Sequence, residues 1–130
     1  MEEFITDEFK LCLILAYDEL ATTRSYGEDV PFYKSLGPNA FNDWIKFVRA
    51  DEALHYLNSI RVAQVRHRDR LPEAEDILLR ILNVDLTSDD YRATFVLDHK
   101  GPPFTPAMLK ECVDTIVDVL HRPVPTLGFY

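Results

Sequence analysis

The chain has 130 residues, a net charge of −8 at pH 7 and a hydrophobic content of 47%. This length suits a single domain, residues 1–130, with a core of its own, and the composition argues against disorder. The negative charge argues against nucleic-acid binding, because contacts with phosphates need a basic face. No apolar run approaches the roughly 18 residues that a membrane span needs, so we expect no membrane association.

The first residues, Met1, Glu2 and Glu3, are acidic rather than basic, which is not typical of a secretory signal. We therefore expect a cytoplasmic protein. Cys12 and Cys112 lack the C-x-x-C spacing of a zinc knuckle or a redox pair. Because cysteine is among the most buried residue types, both are expected to be buried free thiols.

Charge is distributed unevenly along the chain. Residues 1–30 carry eight acidic side chains, whereas residues 61–70 carry four arginines and one aspartate. The arginine-rich stretch is interpreted as a solvated helix end, where cations suit the helix dipole. A binding site for a partner is the alternative.

Two helices are predicted in the first half of the chain. The first covers residues 7–25, with Asp7 as its N-cap and with Gly27 and Pro31 as its stop. After a loop, the longest helix covers residues 38–68 and ends where a leucine-proline pair follows.

Two further helices are predicted in the second half. One begins at Pro72, which suits the first turn of a helix, and fades at Asn83. The last is capped by Thr105 and ended by Pro123. Residues 87–99 combine a helix-cap pattern with strand-forming side chains, and a helix is the preferred interpretation.

Helices joined by short connections predict an all-α fold, a helical bundle. The proline-rich C-terminal tail, residues 123–130, is expected to be extended and to lie on the body of the bundle. Its apolar side chains need cover: Leu127, Phe129 and Tyr130.

A helical wheel of the longest helix places Glu52 and His55 inside its apolar stripe, with Arg61 and Gln64 on the opposite side. The other members of the stripe are apolar or aromatic: Phe41, Trp44, Ile45, Val48, Val62 and Ala63. Burying a carboxylate is costly unless something pairs with it or binds it. Glu and His three residues apart share a helix face and can bind a metal ion. A hydrogen-bonded pair without metal is the alternative.

The first helix adds a third residue to this pair. On its wheel, Glu19 falls among apolar or aromatic neighbours: Cys12, Leu15, Ala16 and Tyr26. One inward Glu that faces a Glu-x-x-His motif on the next helix is half of a carboxylate-bridged dimetal site.

The pattern of Glu19, Tyr26 and Glu52-x-x-His55 resembles the first helix pair of the ferritin-like superfamily, especially its rubrerythrin-type members. The resemblance covers residues 9–67. It implies that Glu19, Glu52 and His55 bind iron or manganese and that Tyr26 lies near the metal or on a radical path. The implied chemistry is iron oxidation with O₂ or peroxide, or oxygenation of a small molecule. A dry cavity would be lined by side chains such as Trp44, Val48 and Phe95.

The second half of the chain departs from this pattern. A full site would need another Glu and a second Glu-x-x-His, and the nearest candidates are Asp118-x-x-His121 and the pair Asp98-His99. A solvated helix face is the preferred interpretation of Asp118. We therefore expect a shortened relative, a metal-free relative, or a protein that completes its site across a homodimer.

Two other functions fit parts of the sequence, so whether the protein is an enzyme stays open. Arg61 and His67 have a spacing found in ribonucleases of the HEPN kind, but Val62 stands where a polar residue is usual. A non-catalytic acidic interaction protein, of the immunity or adaptor type, would use its surface carboxylates to bind a basic protein partner.

Overall fold

A computed structural model describes residues 1–35, 40–89, 91 and 104–124, and of residues 26–34, 40–45, 48 and 49 it describes the backbone alone. The predicted all-α helical bundle is confirmed, because the described residues form five α-helices and no strand. In chain order the helices are α1 (Glu2–Ile5), α2 (Glu8–Ser35), α3 (Ala40–Arg66), α4 (Ala74–Thr87) and α5 (Pro106–Leu120), with a 3₁₀ segment, Arg68–Glu73, before α4.

Two predicted N-caps are confirmed. The side chain of Asp7 accepts a hydrogen bond from the backbone N–H of Lys10 at 3.1 Å, at the start of α2. Thr105 accepts one from the N–H of Met108 at 3.1 Å, at the start of α5. Both satisfy donors that a helix leaves free in its first turn.

The first long helix continues past its predicted end. The sequence predicts a stop at Gly27 and Pro31, but α2 continues to Ser35, so this boundary is wrong. A proline inside a helix removes a hydrogen bond and costs about 3 kcal/mol. α2 and α3 have the most extensive contact of any two described elements, and this packing outweighs the local propensity of two residues.

The third predicted helix is displaced along the chain. Pro72 lies in the 3₁₀ segment, and α4 begins at Ala74 and reaches Thr87 rather than fading at Asn83. A buried stripe at helical spacing explains the extension: Ile77, Leu78, Ile81 and Asp85. Thr87, the first residue of the helix-cap pattern in residues 87–99, is instead the last residue of α4, and its Oγ1 donates to the backbone oxygen of Asn83 at 2.6 Å.

The predicted helix at residues 87–99 and the predicted tail can be compared with the structure only in part. Tyr91 is helical and buried, but the rest of the predicted 87–99 helix from residue 92 onward lies outside the described residues. Pro123 and Val124 have no regular structure, and the rest of the predicted tail, residues 125–130, lies outside the description.

The core lies where α4 and α5 pack on the first half of α2 and the last turns of α3. Its largest fully buried side chains come from all four long helices and from Tyr91: Phe9, Leu13, Ile14, Tyr17, Ile60, Ile77, Leu78, Ile81, Leu109, Ile116 and Leu120. Within the described ranges, no helix is both long enough and apolar enough to cross a bilayer.

Gln64 occupies a position that the wheel does not predict. It was expected opposite the apolar stripe, but it is buried, with 3% of its surface exposed. Its Nε2 lies 3.2 Å from the carbonyl oxygens of Val119 and Leu120 and 2.9 Å from that of Arg122. The prediction is wrong because the carbonyl oxygens at the end of α5, which a helix leaves without partners four residues further on, face Gln64 on α3.

The arginine-rich stretch is solvated but also paired within the chain. Arg66 contacts Glu8 at 3.0 Å, and Arg70 contacts Asp7 at 2.8 Å. These pairs join the end of α3 and the 3₁₀ segment to the acidic start of α2. The uneven charge of the sequence is thus balanced locally by the antiparallel arrangement of the two helices.

Candidate metal centre

The fold brings the three predicted ligands together. Glu19 comes from α2, and Glu52 and His55 come from one face of α3, one turn apart. One ligand atom from each residue lies within 4.8 Å of the others. Among the described residues, this is the only such group of three or more carboxylates, imidazoles or thiols.

His55 is the most accessible member of the cluster. Its Nδ1 lies 3.6 Å from Oε1 of Glu19, and its Nε2 lies 3.5 Å from Oδ2 of Asp51, one turn earlier on α3. The side chain is 49% exposed, so the expectation that it lies within the buried stripe is wrong. The buried face of this part of α3 is set by Ile60 and Ala63, and His55 lies well round the helix from it.

Glu19 is more enclosed than His55. Its side chain is 18% exposed, and its Oε2 is buried without a hydrogen-bond partner among the described residues. A buried carboxylate oxygen without a donor is unfavourable. A cation between Glu19 and Glu52 would satisfy this oxygen.

Glu52 lies partly buried beside Glu19. Burial raises the pKa of its carboxyl above the ordinary value, the negative charge of Asp18 raises it further, and His55 opposes both. A raised pKa means that ionising Glu52 is unfavourable without a counter-charge. A bound cation would supply that counter-charge by displacing the proton.

Two carboxylates and one imidazole form a mixed oxygen and nitrogen donor set. This donor set suits iron or manganese, and imidazole is also a common ligand of zinc. Three protein ligands leave coordination positions for water or a substrate, as in catalytic rather than closed structural sites.

The weaker candidates that the structure describes, Asp118 and His121, do not join this cluster. On α5, Asp118 is 60% exposed and forms an ion pair with Arg122, and His121 is exposed as well. The solvated-face interpretation of Asp118 is confirmed. Further predicted positions lie outside the described residues or have no described side chain: Asp98, His99, Phe95, Tyr26, Trp44 and Val48.

His67, the histidine of the ribonuclease alternative, lies among the ion pairs that join the end of α3 to the start of α2. Its Nε2 lies 2.8 Å from Oε1 of Glu8. The ring also packs on Phe9, with the centroids 5.7 Å apart. Arg61 of the same motif is partly buried on α3.

A buried polar network lies beside the candidate metal centre, and the helical patterns of the sequence do not predict it. The hydroxyl of Tyr17 donates to Oδ2 of Asp85 at 2.5 Å, and that of Tyr91 donates to Oδ1 of Asp18 at 2.9 Å. The signal that could have revealed it is Asp85, which continues the apolar stripe of α4 one turn after Ile81.

The cysteines behave as predicted. Cys12 and Cys112 are both buried free thiols, and Cys112 contacts the sulfur of Met108 at 3.7 Å. Burial raises the pKa of each thiol to about 11. Neither belongs to the candidate metal centre, which consists of Glu19, Glu52 and His55. Thiols in apolar surroundings stay protonated and poorly reactive.

No protein-family model, no curated protein and no solved structure matches the chain. The ferritin-like resemblance therefore stays a prediction from the pattern of Glu19, Glu52 and His55.

Proposed function

We propose that this protein binds a transition-metal ion, iron or manganese, through Glu19, Glu52 and His55. The observation that carries the proposal is the convergence of these three side chains from two helices, with ligand atoms within 4.8 Å of one another. The buried, unsatisfied Oε2 of Glu19 supports it. The raised pKa of Glu52 supports it as well. A cation would be stabilising both beside the unsatisfied oxygen of Glu19 and beside the carboxylate of Glu52.

The chemistry that fits such a site is oxidation with O₂ or peroxide. A redox-active ion with open coordination positions can bind and reduce oxygen, whereas the protein supplies ligands and limits access of water. The half-exposed His55 leaves one side of the site open for a further ligand from a substrate or from a second copy of the chain. A ferritin-like helix pair and a homodimer are therefore part of this proposal.

Metal content is the direct test. The full chain is purified without added metal, incubated with Fe(II) under anaerobic conditions or with Mn(II), and analysed by native mass spectrometry and elemental analysis. We expect stoichiometric metal in the wild type and its loss in Glu52→Ala and in Glu19→Ala. Glu75→Ala, which removes an exposed acid of α4, is the matched control and keeps the metal.

A chain that takes up neither Fe(II) nor Mn(II) would contradict the proposal. So would metal that is bound equally well by the Glu52→Ala variant. For oxygen chemistry, the Fe(II)-loaded protein is expected to consume O₂ faster than free Fe(II) at the same concentration, which an oxygen electrode measures.

A second candidate is a non-catalytic acidic protein that binds a basic partner. Its support is the net charge of −8 together with two large apolar side chains on the surface of α3, Phe47 and Val65, which are 76% and 62% exposed. Exposed apolar groups rimmed by charge are typical of interaction surfaces. A metal-free protein whose partner is lost on Phe47→Ser would favour this candidate over the metal centre.

We also infer a reducing compartment such as the cytosol. Both cysteines are free thiols, which persist where disulfides do not form. Immunodetection of the chain in fractionated cells tests this inference, and recovery from an oxidising compartment would contradict it.

A further inference from the structure

Phe47 and Val65 lie on the same exposed face of α3. Their side chains are 76% and 62% exposed. They are 18 residues apart, which corresponds to about five helical turns and about 27 Å. Ile60 and Ala63, which are buried, lie on the opposite side of the helix. A partner can therefore reach both exposed side chains while the core of the protein stays intact.

The positions between Phe47 and Val65 continue this face at the alternating spacing of four and three residues that a coiled-coil seam uses. We call these six positions the α3 seam: Phe47, Asp51, Leu54, Asn58, Arg61 and Val65. Asp51 is exposed as well, and the other three are partly buried. A helix with this repeat is suited to packing against a second helix through the seam.

The α3 seam is complementary to itself when a second copy lies antiparallel to it. Reversing one helix exchanges the two ends of the seam, and a twofold axis midway along it makes each contact occur twice. Phe47 then meets Val65 of the second copy, and Asp51 meets Arg61 of the second copy. The central layers pair Leu54 with Asn58.

Charge decides between the antiparallel and the parallel arrangement. In a parallel pair, Asp51 would face Asp51 and Arg61 would face Arg61, and like charges across an interface are unfavourable. In the antiparallel pair, the same layers join opposite charges. Asp51 also contacts His55 in its own chain, at 3.5 Å, so the layer requires only that opposite rather than like charges meet across the seam.

The seam is electrically balanced, in contrast to the chain as a whole. It carries one acid, Asp51, and one base, Arg61, whereas the chain has a net charge of −8. The positions that flank it carry one titratable side chain, His55, among six residues: Val48, Ala50, His55, Leu57, Val62 and Gln64. A strongly basic partner would gain little from this balanced face, whereas a second copy offers the same balance in return.

We propose that the α3 seam binds the α3 seam of a second copy of this chain, antiparallel and with twofold symmetry, to form a homodimer. The dimer covers the apolar side chains of Phe47 and Val65, and burial of apolar surface favours association. Asn58 is of the type that fixes the register of a helix pair at some cost in stability. The inference gives the homodimer of the proposed function a surface, and it does not require metal at the candidate centre.

The first test is the dissociation constant of the dimer, measured on the full chain by sedimentation equilibrium at physiological ionic strength. Phe47→Ser should weaken the dimer about hundredfold, because a symmetric dimer loses the contact twice, at about tenfold each. Leu86→Ser, which removes a 40% exposed apolar side chain of α4, is the matched control and leaves the constant unchanged. A wild type that is monomeric at about 0.1 mM would overturn the inference.

Exchange of the two charges tests the Asp51–Arg61 layer. Asp51→Arg and Arg61→Asp each place like charges in that layer, and each should weaken the dimer about tenfold. The double variant restores opposite charges and should dimerise within about threefold of the wild type. Circular dichroism and thermal melting establish that the variants are folded. A double variant as weak as the product of the two single effects would overturn the pairing.

Disulfide cross-linking tests the orientation. A mixture of Phe47→Cys and Val65→Cys chains should form a disulfide-linked dimer on mild oxidation, because these positions meet across the seam. Phe47→Cys alone should not, because its two copies lie about 27 Å apart along the helix axis. The wild type is the control, since Cys12 and Cys112 are buried. Efficient linkage of Phe47→Cys alone would show a parallel pair and overturn the inference.

The failure of this inference and the failure of the proposed function give different results. A monomer that binds stoichiometric Fe(II) or Mn(II) rejects the seam and leaves the metal centre. A dimer that takes up neither ion rejects the metal centre and leaves the seam. A monomer that instead binds a basic protein, with the binding lost in Phe47→Ser, rejects the homodimer in favour of the second candidate function.

Discussion

The hydroxyl of Tyr17 donates a 2.5 Å hydrogen bond to Oδ2 of Asp85, and both residues are buried between α2 and α4. Burial raises the pKa of the phenol strongly, and the nearby Asp85 raises it further. The Tyr17 phenol is therefore the protonated donor of this hydrogen bond. A carboxylate in the core is tolerable because such donors satisfy it.

Tyr17→Phe should destabilise the protein by about 1.5–3 kcal/mol, the usual contribution of a hydrogen bond to a charged group. The variant removes one oxygen and leaves Asp85 with a buried acceptor that has lost this donor. Chemical denaturation, monitored by circular dichroism, gives the free energy of unfolding.

Tyr56→Phe is the matched control for this change. The hydroxyl of Tyr56 is buried without a hydrogen-bond partner among the described residues. Its removal should be neutral or slightly stabilising, because no hydrogen bond is lost and an unsatisfied polar atom disappears. Equal destabilisation by the two variants would contradict the role assigned to Asp85.

Gln64→Leu should destabilise the protein by about 1–3 kcal/mol, because the carbonyl oxygens at the end of α5 lose the amide donor of Gln64. Gln64→Glu should be worse at pH 7, since a carboxylate is repelled by those carbonyls and by the negative end of the helix dipole.

The difference between the two Gln64 variants should depend on pH. We expect the carboxyl introduced by Gln64→Glu to have a raised pKa in the folded state. The stability of this variant is therefore highest at low pH and falls as the pH rises. Denaturation midpoints between pH 4 and pH 8 measure this difference. A difference that does not change with pH would argue against the contact with the α5 carbonyls.

Asp7→Ala should cost about 0.5–2 kcal/mol, because the residue caps α2. The pKa of Asp7 is lowered, mainly by its hydrogen bond from the Lys10 N–H and further by Arg70. Its contribution to stability is therefore present above the ordinary value of 3.8 and is lost as the pH falls through the folded-state pKa.

Asp7→Asn separates the cap from the ion pair, since an amide oxygen can still accept from Lys10 but carries no charge for Arg70. We expect a loss smaller than that of Asp7→Ala at pH 7. The difference between wild type and Asp7→Asn should shrink as the pH falls below 3.8. Thermal melting across this pH range measures it, and a constant difference would contradict the assignment.

Glu52→Gln should stabilise the metal-free protein at neutral pH, because ionising the partly buried Glu52 is unfavourable in the folded state. The raised pKa means that the wild type is favoured below the ordinary value of 4.5 and loses this advantage as the pH rises through the folded-state pKa. Denaturation of both proteins at pH 4 and pH 7 should show the difference at pH 7 alone.

Metal should reverse this order. In the wild type, a saturating ion that binds only the folded state raises the midpoint of unfolding, and Glu52→Gln removes that gain. A variant that is less stable than the wild type in the presence of a chelator would show that Glu52 is needed for packing and not for a cation.

The fold class and the main helices follow from local patterns in the sequence. Helical periodicity and caps at Asp7 and Thr105 are local properties, because a side chain reaches the backbone only a few residues away. The same locality explains why Glu52 and His55 are recognised as neighbours, one helical turn apart. The tendency of cysteine to be buried was sufficient to predict that Cys12 and Cys112 are buried free thiols.

Packing between helices sets where a helix continues past a local stop signal and which polar groups are buried. α2 continues through Gly27 and Pro31 because its packing against α3 outweighs the low helix propensity of these two residues. Gln64 and Asp85 are buried because carbonyls and phenols from other helices meet them, and no pattern within one helix contains that information. Glu19 joins Glu52 and His55 because α2 and α3 lie side by side, whereas His55 stays half exposed because the core forms around a different face of α3.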